Sequence, residues 1–232
     1  MKKRAMWKRG LALALSAAMI SPFLPAAASA EEAALLADFT FDDEASVLTG
    51  GNAKATVNGS YSLTDSKDTA SGKALYLDGN ASNFLAVTDA EGNSLLAGKK
   101  EITISYDAKP DRTATNWVFY AAPDTRNQAS PEYYIGAFAN NGNMKVERYK
   151  NGRTVSFTTA TGTDWTHVDI VFSETATTAY VNGVKKQSVE NSSSALTDIL
   201  GDTGILYIGR ANWTRSGEGY KGWIDNFKIY DG

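Results

Sequence analysis

The chain has 232 residues, 23 of them basic and 26 acidic, one histidine and no cysteine, for a net charge of −3. The missing cysteines exclude disulfides, lipid attachment through a thiol, a cysteine nucleophile and, with a single histidine, a structural zinc site. The acidic balance argues against nucleic acid or an anionic membrane surface as a partner.

The first thirty residues read as an address. Lys2, Lys3, Arg4, Lys8 and Arg9 form a positive start, Leu11 to Ile20 a short apolar run, and Ala28-Ser29-Ala30 a small-residue cleavage site. These are the parts of a secretory signal peptide over residues 1–30. The apolar run is too short to span a bilayer, so membrane insertion is not expected. Removing the leader takes five of the 23 basic residues and no acidic one. That leaves 18 against 26, a charge of −8. The remaining residues, 31–232, are expected to form one domain of a secreted or cell-surface protein. A domain of that length can bury an adequate core without disulfides.

After the leader, strand signals dominate. Leu35 to Phe41, Ala74 to Leu77, Phe84 to Val87, Ile102 to Ala108 and Trp117 to Ala121 are rich in apolar and aromatic residues. Tyr133 to Ala139, Met144 to Tyr149, Trp165 to Phe172, Thr177 to Val181, Ile205 to Ile208 and Trp223 to Tyr230 continue the series. Asn58-Gly59, Asn141-Gly142, Asn151-Gly152 and Asn182-Gly183 separate runs, and Asn-Gly is a strong hairpin cue because both turn positions need positive φ. Two short stretches read as helical, Asn93 to Leu96 and Ser194 to Leu200. The pattern predicts an all-β, antiparallel β-sandwich.

The closing strand carries one acid. Alternate side chains of a strand face opposite sides, so Trp223, Asp225, Phe227 and Ile229 share one face. A carboxylate beside three large apolar groups is costly unless paired. Either Asp225 lies near solvent or beside an Arg or Lys, or it holds a cation. His167, in the run Trp165 to Phe172, reads as an exposed strand histidine.

Several segments resemble, in order, one known family. Leu36-Ala37-Asp38-Phe39-Thr40-Phe41-Asp42-Asp43 looks like its first strand, and Gly72-Lys73-Ala74-Leu75-Tyr76-Leu77-Asp78-Gly79 like its Gly-x-Ala-Leu strand. Trp165-Thr166-His167-Val168, Ala179-Tyr180-Val181-Asn182-Gly183, Ile208-Gly209 and Gly222 to Tyr230 look like its later strands. The family is the laminin-G-like, concanavalin A-like jelly roll, often attached to secreted bacterial glycoside hydrolases. The resemblance implies a structural calcium held by the Asp225 carboxylate and the Thr40 and Gly72 carbonyls, with Asp42 as an addition. The Asp42-Asp43-Glu44 cluster also fits a solvated loop.

Sugar binding needs flat aromatic faces together with groups that bond hydroxyls. Trp117, Tyr120, Arg126, Asn127, Tyr133 and Tyr134 offer both, as do Arg210, Asn212, Trp213 and Arg215. Trp117, Tyr120 and Tyr134 fit the core as well as they fit a binding surface. Trp213 lies among polar neighbours. Jelly-roll glucanases resembling this fold carry Glu-x-Asp-x-x-Glu on one strand, a spacing this chain lacks. Its strand acid, Glu147, sits beside Arg148 and reads as a surface charge. The expected function is a non-catalytic carbohydrate-binding module that takes a polysaccharide or glycan, with a catalytic domain expected beyond residue 232. The alternatives are a structural or adhesive domain and, third, a divergent glycosidase or lyase.

Overall fold

The computed structural model describes residues 33–67, 70, 72–111, 116–124, 133–191, 195–212 and 217–232. The leader, Arg126, Asn127, Trp213 and Arg215 lie outside these residues. Among the described residues no helix is long and apolar enough to cross a membrane. The elements are β1 (Ala34–Phe39), α1 (Glu44–Leu48), β2 (Thr49–Gly50), β3 (Ala53–Asn58), β4 (Ser62–Asp65), β5 (Lys73–Asp78) and β6 (Phe84–Asp89). They continue with β7 (Ile102–Pro110), β8 (Asn116–Ala122), β9 (Tyr133–Asn140), β10 (Asn143–Lys150), β11 (Arg153–Ala160) and β12 (Thr166–Phe172). The last are β13 (Ala176–Val181), β14 (Val184–Glu190), α2 (Leu196–Leu200), β15 (Ile205–Ile208) and β16 (Lys221–Asp231).

Two antiparallel sheets form a sandwich, as expected for a concanavalin A-like jelly roll. The first sheet runs β14-β13-β12-β7-β16-β5-β4, and β1 pairs with the far half of β16. The second runs β11-β10-β9-β8-β15-β6-β3-β2. The strands form because alternate residues can be buried between the sheets. In β12, Val168, Ile170 and Phe172 enter the core while His167, Asp169 and Val171 face away. In β7, Ile102, Ile104 and Tyr106 do the same. Phe119 and Phe227 meet in the middle of the sandwich at 6.3 Å, in edge-on contact.

Three of the four Asn-Gly pairs are hairpin turns. Asn141-Gly142, Asn151-Gly152 and Asn182-Gly183 take positive φ at both residues and join β9–β10, β10–β11 and β13–β14. Asn58-Gly59 departs from the expectation. Only its glycine has positive φ, and it carries the chain from β3 in the second sheet to β4 in the first. A Cβ on Gly59 would lie 2.0 Å from Asn83 Oδ1, which receives Ser60 N–H at 2.9 Å. The glycine there serves close packing.

Asn93 to Leu96 is not helical. Asp89 Oδ1 accepts the N–H groups of Glu91 at 3.0 Å and Asn93 at 2.7 Å, folding the segment into turns. The second helix forms as Leu196–Leu200. Strands β3, β4, β11 and β14 lack the apolar signal that marks the others. The sheet edge β14 is polar and almost wholly exposed, as edge strands tend to be.

The closing strand also departs from simple alternation. The register of β16 against β7 shifts between Asp225 and Lys228, where Asn226 takes φ 49°. A bulge inserts one residue and changes the side to which later side chains point. Trp223 and Asp225 therefore face outward, while Ile224, Phe227 and Ile229 lie in the core. The bulge comes where β16 changes partner, from β5 on one side of it to β1 on the other.

Glu147 is not a surface charge: it is 3% exposed. Its neighbour Arg148 points the other way, into the sandwich, and is fully buried. Its guanidinium donates to the Ser173 carbonyl at 2.9 Å and to Asn191 Oδ1 at 3.2 Å. It thereby ties β10 of the second sheet to the chain at the two ends of the β13–β14 hairpin in the first. Burial lowers its pKa to about 10, so it stays charged at neutral pH.

Candidate functional site

The second sheet buries side chains on both faces. One side meets the inter-sheet core through Val118, Phe119, Ile135, Ala137, Val146 and Leu206. The alternate residues build a separate cluster on the side turned away from the first sheet. It comprises Trp117, Tyr120, Ala122, Tyr134, Phe138, Tyr207 and Ala211, with Phe84, Ala86, Tyr149 and Ile205 packed against it. Such an outward aromatic face is not needed to hold the two sheets together.

The rings interlock. Trp117 meets Phe138 at 4.6 Å and Tyr120 at 5.9 Å. Tyr134 stacks on Tyr149 at 4.8 Å and on Tyr120 at 5.4 Å. Trp117 fits there because β9 has Gly136 beneath it: a Cβ would lie 2.7 Å from the indole. Burial raises the Tyr120 and Tyr134 hydroxyls well above their usual range, and nearby carboxylates add to this.

Polar groups are set into the same face. Trp117 Nε1 donates to Glu218 Oε2 at 2.6 Å, and Tyr134 OH donates to Glu147 Oε2 at 2.7 Å. Glu147 Oε1 lies 2.9 Å from Lys145 Nζ and 3.2 Å from Arg153 Nε. Half-buried Arg210 lies over Phe84 at 4.6 Å and Tyr207 at 5.7 Å. Its Nε donates to the Ala211 carbonyl at 3.0 Å and its Nη2 to Asn212 Oδ1 at 3.4 Å.

The fold therefore brings together Trp117, Tyr120, Tyr134, Arg210 and Asn212, residues far apart in the sequence. It separates Tyr133, which packs toward the inter-sheet core. Strand alternation is the reason: Tyr133 and Tyr134 are consecutive and point to opposite faces. Trp117, Tyr120 and Tyr134 are each 2% exposed. The rings with surface left are Phe84 and Tyr149, which the sequence reading passed over. Their signal was present, since each alternates with core residues of its strand.

A second arrangement surrounds the closing-strand acid. Asp225 is 1% exposed. Ser66 Oγ donates to its Oδ2, and Asn226 N–H donates to its Oδ1 at 2.8 Å. Burial pushes its carboxyl up to about 6, with the charges of Asp107 and Asp42 adding to the shift. Asp42 stands close against Gly72: a Cβ there would lie 1.8 Å from Asp42 Oδ1. Gly72 has φ +73°, and its carbonyl receives Ser66 N–H at 3.1 Å. Phe41, between Thr40 and Asp42, is a buried aromatic at φ 57°. A bulky residue in that region is strained, and such strain persists where the surroundings enforce it.

The expected ligands Asp225, Asp42 and Gly72 thus gather in one place, with Thr40 two residues before Asp42. The donors are all oxygen, which suits calcium. A buried acid with two like-charged neighbours is a fitting partner for a cation. Among the described residues, no group of three or more His, Asp or Glu side chains converges as a metal site, so backbone carbonyls would have to complete the shell.

No curated protein matches this chain by sequence. Among solved structures, it is similar to domain 4 of AbnA, a GH43 extracellular arabinanase from Geobacillus stearothermophilus, in complex with arabinotriose. The TM-score is 0.61 at 22% identity, over 87% of this chain and 94% of that one. It is also similar to the binding domain of Paraclostridial Mosquitocidal Protein 1, with TM-score 0.59 and 17% identity over 85% of this chain and 49% of that one. The botulinum neurotoxin serotype D binding domain gives TM-score 0.58 and 16% identity, over 85% and 47%. The chain spans about half the length of the two toxin domains. At these identities the likeness is one of fold. A sequence profile, Laminin_G_3, matches residues 78–232, and the chain belongs to the concanavalin A-like lectin/glucanases superfamily that it describes.

Proposed function

We propose that this chain is a secreted or cell-surface glycan-binding module and that its contact surface is the aromatic outer face of the second sheet. The observation that carries this is the second aromatic cluster, built away from the core and studded with Glu147, Glu218, Arg153 and Arg210. The parts of half-buried Phe84 and Tyr149 left open by their neighbours offer apolar ring surface to a sugar, and the charged groups at the rim offer bonds to hydroxyls. The similarity to an arabinanase domain in complex with arabinotriose supports a polysaccharide as ligand. The features of residues 1–30 support export.

Calcium belongs to the same proposal, in a structural role. Asp225, Asp42 and the Thr40 and Gly72 carbonyls would hold it, and it would offset the charge of the buried acid while joining the start of the fold to β16.

The burial of Trp117, Tyr120 and Tyr134 favours a second reading, in which the cluster is a packed wall and the domain is structural or adhesive. Isothermal titration against a panel of soluble polysaccharides separates the two. The glycan reading expects saturable binding that Tyr149→Ala weakens several-fold in a folded protein, since a stacking contact is worth on the order of 1 kcal/mol. Absence of binding across the panel would leave the structural reading.

A further inference from the structure

We infer that the Arg210 end of the aromatic face selects sugars that carry a carboxylate, so that the ligand is an acidic glycan such as a uronic-acid polymer. This rests on the glycan-binding reading above and adds the substrate class. Among the described residues, Lys145 and Arg153 on this face are neutralised, since both lie against Glu147. Glu218 is committed to the Trp117 indole N–H. Arg210 has only neutral partners, the Ala211 carbonyl and the Asn212 side chain. No carboxylate pairs with it among the described residues. Its guanidinium lies over Phe84 and Tyr207, half out of water.

A partly desolvated guanidinium lacking a counter-ion attracts an anion more strongly than a solvated one does. Its planar fork matches a carboxylate in two parallel hydrogen bonds, while the rings beneath restrict its motion. A uronate packed against the part of Phe84 that Arg210 leaves open would bring its carboxylate to the guanidinium. The chain's acidic net charge opposes such a ligand at long range, so the preference should come from this local contact.

The test uses matched pairs: oligosaccharides of pectate, alginate and glucuronoxylan, each beside its carboxyl-reduced neutral form. The inference expects at least one acidic member to bind roughly tenfold tighter than its neutral partner. In Arg210→Gln that ratio should fall close to one. Should the variant fail to fold, the wild type still decides: its preference must weaken as salt rises from 50 to 500 mM, because screening acts on the charged ligand alone. Equal binding of both members would overturn the acidic preference and leave the glycan-binding reading in place. Binding of neither member of any pair, nor of any neutral polysaccharide, would sink both.

Discussion

Asp225 and Asp107 face each other across β16 and β7, yet their carboxyls are pushed in opposite directions. Burial raises both. For Asp107, hydrogen bonds from His167 Nδ1 at 3.0 Å, Asn226 Nδ2 at 3.1 Å and Lys67 Nζ at 3.2 Å outweigh it and hold the group at about 2. Among the described residues no cation pairs with Asp225, and it rises to about 6. Two acids in register thus differ because Lys67 and His167 lie against Asp107, whereas Asp225 receives only the neutral donors Ser66 Oγ and Asn226 N–H.

Calcium should supply Asp225 with a cation. Adding calcium to chelator-treated protein is expected to raise the melting temperature by several degrees, and Asp225→Asn should abolish the response. The effect should fade below about pH 6, where the Asp225 carboxyl takes up a proton that competes with the metal. A wild-type melting curve that ignores both calcium and chelator would remove the metal from the account.

His167 bridges Asp107 and Asp169, with Nε2 3.2 Å from Asp169 Oδ1. Hydrogen bonds to the two acids raise its pKa to about 10, from 6.5. Because the folded state holds the proton more tightly, the contribution is complete below about pH 6.5. It is lost as pH climbs through 10. The ring is 42% exposed, so screening should reduce the gain to about 1 kcal/mol. Urea unfolding at pH 6, 8 and 10 should show the gap between wild type and His167→Gln closing as pH rises. A gap independent of pH would mean that His167 is not held protonated.

Arg148 is a strut between the sheets. Arg148→Ala removes a large buried side chain and one of the donors to the Ser173 carbonyl and to Asn191 Oδ1, which should cost about 3–5 kcal/mol. Arg148→Met keeps the volume and should cost clearly less. Chemical denaturation of both variants checks the order. Equal losses would mean that packing plays no part.

Gly136→Ala should disturb the aromatic face from below. The new methyl would meet both the Trp117 indole at 2.7 Å and the Phe119 carbonyl at 2.9 Å. Overpacking of this kind costs about 1–3 kcal/mol. A shifted near-ultraviolet circular dichroism signal and weaker glycan binding should accompany it. A variant as stable as wild type would show that the ring has room to move.

The sequence by itself determined the β-sandwich, most of its strands and three of its hairpins. Alternation, aromatic content and Asn-Gly pairs are local signals, and each acts through backbone geometry that neighbours in the chain already define. It also pointed to Trp117, Tyr120, Tyr134, Arg210, Asp42 and Asp225. Only the tertiary structure decided what surrounds them. Consecutive tyrosines were divided between two faces by strand alternation. A one-residue bulge at Asn226 turned Asp225 outward and Phe227 inward. Glu147 was buried by Tyr134, Lys145 and Arg153, two of which lie on its own strand or the next. The polar strands β4 and β14 stayed hidden in the sequence because their hydrogen-bonding partners, more than their side chains, make them strands. Burial and charge compensation depend on residues distant in the chain, so no local pattern could reveal that one acid of a facing pair has cationic partners and the other only neutral donors.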